Sequence, residues 1–310
     1  MDYVSLGKTD SKVSIITLGM GDYAGKWSDP SSDAINTKAV HKALDEGITS
    51  FDTAEVYGGG HSEEVLGKAL GNKRNQVFLA TKVAKSSNAP SNLRNSLIAS
   101  LKRLGTGWVD IYYIHWPNPE VPVEETIGEM VKIQKEGLIK HIGVSNFDLP
   151  LLKAAMKIGR VDVVQNEYNM LQRNIEKDML PFCLENSISV MSYTSIARGI
   201  LAGAFHFGGI KLDEKDSRAA RRLFKPAHIE AETELLEAMK KIADSRNITC
   251  GQIALAWLFA RNGLTSAVVG TQSEKHFLEN IGAVDVYLSE EEISALDDVS
   301  SKVIAKIDGD

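Results

Sequence analysis

Four side chains in the first 115 residues could together transfer a proton to a substrate: Asp52, Tyr57, Lys82 and His115. A phenol ionises near pH ~10 in water, but a neighbouring ammonium group stabilises the phenolate and makes the phenol a better acid. Lys82 could act on Tyr57 in this way, and Asp52 could keep that ammonium group charged and oriented. His115 could donate a hydrogen bond to an oxygen atom that gains negative charge. The combination predicts protonation of a carbonyl oxygen while the carbonyl carbon receives a hydride.

Each of these residues also has an ordinary structural explanation. Asp52 could cap the turn after a strand, Tyr57 could cover the glycine-rich turn that follows it, and His115 could be a hydrogen-bonded core histidine. Lys82 is harder to explain, because it follows the apolar run Val77–Ala80 and a buried lysine requires a compensating partner. The catalytic interpretation therefore depends on whether the fold brings all four side chains together.

Short aliphatic or β-branched runs alternate with amphipathic segments along the chain, which is typical of β-strand and α-helix units around a parallel sheet. Eight such units without a linker-like break favour one closed (β/α)8 TIM barrel over residues 1–310, rather than two doubly wound domains. Helical spacing is clearest at Leu93, Leu97, Ile98, Leu101 and Leu104. The predicted strands are Ile16–Leu18, Ser50–Asp52, Val77–Thr81, Ile111–Ile114, Ile139–Val144, Val163–Glu167, Ser189–Tyr193 and Ser266–Val269.

The ends of several helices are marked in the sequence. Gly137, Gly159 and Gly263 follow helical segments, where a residue in the left-handed conformation commonly ends a helix. Thr249–Gln252 and Ser289–Glu292 have the spacing of a capping box, which predicts that a helix begins at each.

Two segments, an N-terminal hairpin and a long loop, fall outside the eightfold pattern. Tyr3–Leu6 and Val13–Ser14 predict an N-terminal β-hairpin that closes the bottom of the barrel. A long loop follows the seventh strand, from Thr194 to about Glu230, and loops of that length in a compact domain are usually functional, as a lid or a cofactor clamp. The polar segment 300–310 is expected to contribute little to specificity.

The composition excludes several classes of function. No apolar run approaches the ~18 residues of a membrane span, and the net charge of −6, without a basic block, provides no electrostatic surface for nucleic acid or anionic lipid. Met1–Ser5 lacks the features of a secretory signal, so we expect a cytoplasmic protein with a small-molecule partner. Cys183 and Cys250 are far apart, which predicts two buried thiols rather than a disulfide or a zinc site.

Motifs recur at the ends of successive predicted strands: Asp52–Gly58, Ser62-Glu63, Leu66-Gly67, Thr81-Lys82, Ile114–Trp116, Ile142–Phe147 and Gln165–Tyr168. In this order they resemble the aldo-keto reductase family, and the resemblance runs from about Leu6 to Val299. It implies reduction of aldehydes and ketones to alcohols with NAD(P)H. It also implies that Tyr57 is the acid and that Asp52, Lys82 and His115 have the supporting roles described above.

The resemblance further implies the residues that hold the cofactor. Ser145, Asn146 and Gln165 match family residues that hydrogen-bond the nicotinamide carboxamide, and Tyr193 matches the aromatic residue that stacks on the nicotinamide ring. The segment after Tyr193 resembles the pyrophosphate clamp without its usual proline, and the segment from Gly270 fits the adenosine end. The other predicted cofactor residues are Gly19, Met20, Gly21, Asp52, Thr194, Ser195, Ile196, Ala197, Arg198, Gly199, Leu201, Arg218, Gly270, Thr271, Gln272, His276, Glu279 and Asn280.

NADP(H) is favoured over NAD(H), with use of both as the alternative. A 2′-phosphate is usually bound by Arg or Lys, and Arg218 and Lys275 are the available cations. Many NADPH-using relatives have a basic residue where this chain has Gln272 or His276. Neither residue is acidic, so neither would repel a phosphate.

The substrate pocket is expected to have an apolar or aromatic lining. Gly21 would leave extra room near the nicotinamide. Phe205 and Phe207 could either line the pocket or pack the long loop against the protein. The residues predicted to form the pocket are Tyr23, Trp27, Tyr57, His115 and Trp116.

Other functions fit the sequence less well. Gly19–Ala24 matches the dinucleotide-binding fingerprint, but Lys26–Pro30 intervenes before any helix can begin. A retaining glycosidase needs a carboxylate ~5 Å from Glu167, and a metal hydrolase needs a second histidine at the strand ends, so no metal is predicted. A redox-sensing, partner-binding protein similar to a potassium-channel β subunit shares the barrel, but that role favours an N-terminal extension. Steady turnover of aldehydes would distinguish an enzyme from such a sensor.

Overall fold

The computed structural model of the chain describes residues 1–21, 30–210, 212, 216, 218–270 and 274–309, and for residues 30–32 it describes the backbone alone. The chain begins with the predicted hairpin, formed by strands β1 (Tyr3–Ser5) and β2 (Lys12–Ser14). The two strands pair antiparallel, with Tyr3 opposite Ser14. Leu6 and Val13 are fully buried and join the core of the barrel strands, so the hairpin is anchored by apolar contacts.

Eight parallel strands then close into a barrel, which confirms the predicted fold. Each strand pairs with the next along the chain, and the last pairs with the first. The residues are mostly aliphatic because both faces of such a strand are buried, one against the barrel interior and one against helices. The strands are β3 (Ile16–Gly19), β4 (Ser50–Asp52), β5 (Phe78–Val83), β6 (Val109–Ile114), β7 (Ile139–Ser145), β8 (Val163–Glu167), β9 (Ser189–Tyr193) and β10 (Leu264–Val269).

Ten α-helices accompany the strands in the described part of the chain: α1 (Pro30–Asp45), α2 (His61–Leu70), α3 (Pro90–Leu104), α4 (Val123–Lys135), α5 (Leu149–Met156), α6 (Met179–Glu185), α7 (Pro226–Arg246), α8 (Cys250–Phe259), α9 (Glu274–Ile281) and α10 (Glu290–Gly309). Both predicted capping boxes are confirmed by reciprocal hydrogen bonds, at Thr249–Gln252 and at Ser289–Glu292. Cys183 and Cys250 are free thiols and buried, as predicted.

The predicted apolar face of α3 is confirmed except at one position. Leu93, Leu97, Leu101 and Leu104 are buried, and each contributes about 1.5–3 kcal/mol by leaving water. Ile98 is 52% exposed, because it directly follows Leu97 on the helix and is rotated by about 100° away from the buried face.

One of the three glycine predictions is wrong. Gly137 and Gly263 have φ of +80° and +96°, as expected for residues after a helix. Gly159 has no positive φ; instead, an added Cβ at this position would lie 2.5 Å from a methyl group of Val131. The glycine at 159 is therefore required for close packing rather than for a left-handed turn.

The long segment after β9 is confirmed, and it contains short 3-10 helices at Ala197–Ala202 and Arg222–Phe224 before α7 begins. Residues 300–309 do not form a separate tail but belong to α10, and their small contribution to specificity stays a prediction. Ser300, Val303 and Ile307 of that helix are buried.

The chain divides into two compact units. The first, residues 1–166, 175–193 and 263–277, contains the hairpin and the barrel strands. The second, residues 167–174, 194–262 and 278–310, contains the long segment and helices α7, α8 and α10. A single domain over residues 1–310 stays a prediction. Across the described ranges, every helix is too short or too polar to cross a membrane.

Candidate active site

The four residues predicted to carry the chemistry meet at the carboxyl ends of three neighbouring strands. Asp52 is the last residue of β4, Lys82 lies near the end of β5, and His115 directly follows β6. Tyr57 lies in the loop after β4. Because these strands are parallel and paired in sequence order, their carboxyl ends share one end of the barrel.

Lys82 is the centre of this cluster and is completely buried. Its ammonium group forms an ion pair with the carboxylate of Asp52 and donates to the carbonyl oxygen of Thr53 at 2.9 Å. The same nitrogen lies 5.2 Å from the centre of the Tyr57 ring. Burial alone would lower the pKa of Lys82, but the negative charge of Asp52 and the interaction with Tyr57 raise it above its usual value. Lys82 is therefore a permanent buried cation beside the phenol.

The loop that carries Tyr57 is tied to β5 along its length. The backbone N–H of Thr53 donates to the carbonyl oxygen of Ala80 at 3.0 Å, and the carboxylate of Glu55 accepts from the N–H of Ala84 at 2.6 Å. Gly58 and Gly59, directly after Tyr57, have φ of +59° and +64°, a conformation that side chains with a Cβ rarely adopt. The glycines let the chain reverse at once after Tyr57 and enter α2.

Glu63 adds a second anchor, which the sequence motifs include without indicating its role. Its carboxylate is completely buried, accepts from the hydroxyl of Thr81 at 2.5 Å and pairs with Arg103 at 2.6 Å. Arg103 in turn packs so closely on Gly60 that a Cβ there would lie 2.5 Å from its Nε. An acid in the first turn of a helix, next to the loop that carries Tyr57, is the sequence feature that could have revealed this anchor.

His115 lies half-buried against the phenol, with the two rings edge to face and 5.6 Å between centroids. Burial, together with the positive charge of Lys82, lowers the pKa of His115 to about 3. The imidazole is therefore neutral at physiological pH. A neutral imidazole still has one N–H and can donate one hydrogen bond.

Asn146 and Tyr193, two predicted cofactor residues, are linked to each other and to the catalytic cluster. Asn146 donates to the carbonyl oxygen of His115 at 2.9 Å and to Ser145 Oγ at 3.1 Å, and its side-chain oxygen accepts from the Tyr193 hydroxyl at 2.6 Å. Asn146 has φ of +62°, and Asn tolerates this region better than most residues. The network fixes the half-buried ring of Tyr193.

Asn166 holds the Asn146 turn in place, a role that the sequence did not reveal. Its side-chain oxygen accepts from the N–H of Asn146 at 2.9 Å, and its side-chain nitrogen donates to the carbonyl oxygen of Phe147 at 3.0 Å. A buried amide within the Gln165–Tyr168 motif is the only feature of the sequence that points to it.

Gln165 joins the predicted nicotinamide residues to the ion pair of Asp52 and Lys82. It is buried and donates from Nε2 to Asp52 Oδ2 at 2.9 Å. Asp52 therefore receives Lys82 on one oxygen and Gln165 on the other. The two bonds hold the carboxylate in one orientation.

The first barrel strand brings Met20 and Gly21 to the same end of the barrel. The N–H of Met20 donates to the carbonyl oxygen of Asp52 at 2.8 Å. A Cβ added to Gly21 would lie 3.1–3.3 Å from three atoms of Tyr57, including its hydroxyl oxygen. Glycine at position 21 therefore leaves the space that the phenol occupies, and Gly19 is also closely packed, against Val268.

Within the second unit, the segment predicted to clamp the pyrophosphate has an unusual backbone. Thr194, Ala197 and Arg198 have φ of +55°, +48° and +56°, and Gly199 continues the run at +96°. Such strained conformations in non-glycine residues often occur at functional sites. Ser195, Ala197 and Leu201 are buried, and the clamp function of this segment, which also includes Ile196, stays a prediction.

Arg218, the predicted partner of a 2′-phosphate, is engaged by a neighbour. Its guanidinium forms a bidentate ion pair with Asp216, with 2.7 Å between Nη2 and Oδ2, and lies 5.5 Å from the ring of Phe205. The pairing lowers the pKa of Asp216 to about 2, so the carboxylate stays charged. A phosphate would have to compete with Asp216 for Arg218.

The remaining residues predicted to bind cofactor or substrate differ in their exposure to solvent. Trp116 is 49% exposed, Phe205 packs edge to face on Phe224 and Phe207 is exposed. In α9 and its approach, Gly270 and Glu279 are half-buried, Lys275 and His276 are exposed and Asn280 is buried. Four predicted residues lie outside the described residues: Tyr23, Trp27, Thr271 and Gln272.

Comparison with known proteins shows the family. The family model described as the aldo/keto reductase family matches residues 15–301. The aldo-keto reductase YhdN of Bacillus subtilis is 32% identical over 290 residues, covering 88% of this chain and 85% of that protein.

Two solved structures extend the likeness to three dimensions. A glycerol dehydrogenase from Gluconobacter oxydans is 28% identical, with a TM-score of 0.89 and coverage of 98% of this chain and 96% of that one. An aldo/keto reductase from Klebsiella pneumoniae, solved in complex with NADP and acetate, is 29% identical with a TM-score of 0.78, covering 97% and 96%. With the motifs at the strand ends, these likenesses establish that the chain belongs to the aldo-keto reductase family.

Proposed function

We propose that this protein reduces aldehydes or ketones to alcohols with NADPH, and that Tyr57 protonates the carbonyl oxygen. The observation that carries the proposal is the cluster of a phenol, a buried ammonium group, a carboxylate and a neutral imidazole at one end of the barrel. The carbonyl carbon gains a hydride and the oxygen gains the proton of the phenol, so the product is the alcohol.

Lys82 makes proton donation by Tyr57 favourable. When the phenol gives up its proton it becomes an anion, and the permanent cation beside it stabilises that anion. The ammonium group acts strongly because it is buried, where solvent screens charges least. Asp52 and Thr53 keep the ammonium group oriented, so no reorganisation is needed as charge develops.

His115 donates rather than accepts in this proposal. Its neutral imidazole offers one N–H to the carbonyl oxygen, which becomes more negative as the hydride arrives. An imidazolium would compete with Tyr57 as the acid, and burial together with the adjacent charge of Lys82 opposes its formation. Tyr57 is thereby kept as the single proton donor.

The residues at the strand ends fit a nicotinamide cofactor. The Ser145 hydroxyl accepts from Asn146 and donates to no described atom, so its proton is available to a carboxamide oxygen. Tyr193 has a half-buried ring held by Asn146, as a stacking surface for an aromatic ring requires. When bound, the reduced cofactor supplies the hydride. Ser145, Gln165 and Tyr193 would hold the nicotinamide end.

NADP(H) is favoured because a related structure was solved with NADP. Arg218 supports this choice only if its ion pair with Asp216 breaks and its guanidinium group binds the 2′-phosphate instead. The test is kcat/KM for NADPH and NADH in the wild type and in Arg218→Ala. We expect the substitution to weaken NADPH selectively, and equal weakening of both cofactors would assign the phosphate to other residues.

Replacement of Tyr57 by Phe tests the main proposal, since it removes the proton and retains the ring. We expect kcat for reduction of a panel of aldehydes to fall by ~10² to 10⁴, while the affinity for NADPH, measured by fluorescence titration, is unchanged. Tyr112→Phe is the matched control, because Tyr112 lies in β6 with a buried hydroxyl away from the cluster. If Tyr57→Phe kept more than about a tenth of the wild-type kcat, Tyr57 would not be the acid.

A further inference from the structure

The second unit contains a small cavity of about 210 Å³. Its walls come from Glu167 at the end of β8, the left-handed segment that includes Arg198, the 3-10 helix Arg222–Phe224 with the preceding Arg221, and the last turns of α10. Drug-sized ligands occupy pockets of about 300 Å³ or more, so this cavity suits a smaller molecule.

Of the three arginines at this cavity, one pairs with a carboxylate and two have no side-chain partner among the described residues. Arg222 donates to the carboxylate of Asp308 and to the carbonyl oxygen of Ile307. Arg198 and Arg221, in contrast, make no side-chain hydrogen bond or ion pair with any described residue. Glu167 also lines the cavity and lies beyond ion-pair distance of both, although the two guanidinium groups still act on it electrostatically.

The charged side chains at the cavity leave a net positive charge, which favours an anionic ligand. Arg222 and Asp308 neutralise each other, so the remaining charges are two guanidinium groups and Glu167. Burial raises the pKa of Glu167, against the opposing effect of the two arginines. With Glu167 ionised the net charge is +1, which a monoanion neutralises. A planar carboxylate also matches the fork of a guanidinium group, as a spherical anion does not.

Most of the remaining lining is apolar, with Gln172 and Thr194 as its polar members. Phe224 and Ile307 are buried, and Leu171 and Ile304 complete the wall. This apolar wall favours a ligand with a short apolar body as well as its charged group. Inorganic anions and sugar phosphates lack such a body.

We propose that this cavity binds a small monocarboxylate, with its carboxylate between Arg198 and Arg221 and its apolar body against Phe224 and Ile304. Binding here is independent of carbonyl reduction, and Arg198 acts through its side chain in this cavity rather than as a contact of the cofactor.

Titration calorimetry with benzoate at low ionic strength tests the proposal. We expect saturable binding that weakens by about tenfold or more in Arg198→Gln and in Arg221→Gln, since each removes a charge-assisted hydrogen bond. Arg94→Gln is the matched control, because Arg94 lies on α3 in the first unit and pairs with Glu136. Unchanged affinity in both cavity variants would overturn the proposal.

Further titrations test which chemical group of the ligand is recognised and where the ligand binds. Benzyl alcohol and inorganic phosphate should bind at least about tenfold more weakly than benzoate; equal binding of either would refute a carboxylate site with an apolar wall. Ile304→Glu places a negative charge on a half-buried wall position and should abolish binding without unfolding the protein. Benzoate could also bind near Tyr57, so the titration is repeated in His115→Ala, and a larger loss there than in Arg198→Gln would contradict the cavity as the site.

Discussion

Two buried ion pairs at opposite ends of the barrel strands have similar composition and differ in what surrounds them. Asp52 and Lys82 lie at the carboxyl ends of the strands, whereas Arg74 and Asp110 lie at the amino ends, where Asp110 is the second residue of β6. Burial lowers the pKa of Arg74, against the effect of Asp110, whereas the pKa of Lys82 is raised by Asp52 and Tyr57.

At the amino ends, the protein itself supplies the partners of the Asp110 carboxylate. Asp110 Oδ2 accepts from Arg74 at 3.0 Å and from the N–H of Leu79 at 2.9 Å, and Oδ1 pairs with Lys140 at 3.0 Å. The cations of Arg74 and Lys140 lie 3.8 and 3.7 Å from the Trp108 ring centre. This arrangement stabilises the fold.

The pair at the carboxyl ends has reactive neighbours instead. Tyr57 and His115 are half-buried beside Lys82, so a substrate atom could reach them. A buried ion pair is therefore by itself no sign of catalysis. The adjacent titratable groups that remain accessible distinguish a catalytic pair from a structural one.

The largest effect that would separate the two pairs is on rate. Lys82→Met should lower kcat for aldehyde reduction by ~10² or more, because the phenolate loses the cation that stabilises it. The measurement is steady-state kinetics at a temperature where circular dichroism shows the variant folded. A variant that retained about a third of the wild-type kcat would remove Lys82 from the mechanism.

Arg74→Met should show the opposite pattern. We expect the free energy of unfolding in urea to fall by about 2–3 kcal/mol. Breaking a buried ion pair completely costs about 3–5 kcal/mol, and the loss here is smaller because Lys140 still pairs with the charge of Asp110. The kcat at 25 °C should stay within about twofold of the wild type. A large loss of kcat in the folded variant would contradict a purely structural role.

His115 should make the stability of the protein depend on pH. Its pKa in the folded protein is about 3 and its ordinary value is 6.5, so the unfolded chain binds a proton first. The stabilising contribution is complete above pH 6.5 and is lost as the pH falls towards 3, by at most about 2 kcal/mol at pH 5. His115→Gln should be less sensitive between pH 7 and pH 5 in urea unfolding. An identical pH dependence in both proteins would mean that other groups cause it.

Substitution of two glycines, one beside Tyr57 and one on α4, is expected to have the smallest effects. Gly21→Ala should lower kcat several-fold, because the new methyl group lies 3.1–3.3 Å from Tyr57 and shifts the phenol. Gly128 on α4 has only Ile158 near an added Cβ, at 3.9 Å. Gly128→Ala should therefore leave kcat unchanged and stabilise the protein by about 0.5–1 kcal/mol. Unchanged kinetics in Gly21→Ala would show that the phenol tolerates displacement.

Much of the fold follows from local pattern. The eight strands, the hairpin and both capping boxes lie within about three residues of their predicted bounds, since alternation, β-branching and cap spacing act over a few residues. The prediction at Gly159 is wrong because a glycine needed for a close approach to Val131 has the same local sequence as one that ends a helix. Only the partner element distinguishes the two cases.

The residue types at the strand ends can be read from the sequence alone, and they predict the barrel, the family and the cluster of Asp52, Tyr57, Lys82 and His115. The tertiary structure decided where the long polar side chains are directed. It paired Arg218 with Asp216, placed Arg198 at a cavity and used Asn166 to hold a turn. The physical reason is that strand order fixes the position of a backbone atom, whereas the partner of a flexible charged side chain depends on residues brought close from elsewhere in the chain.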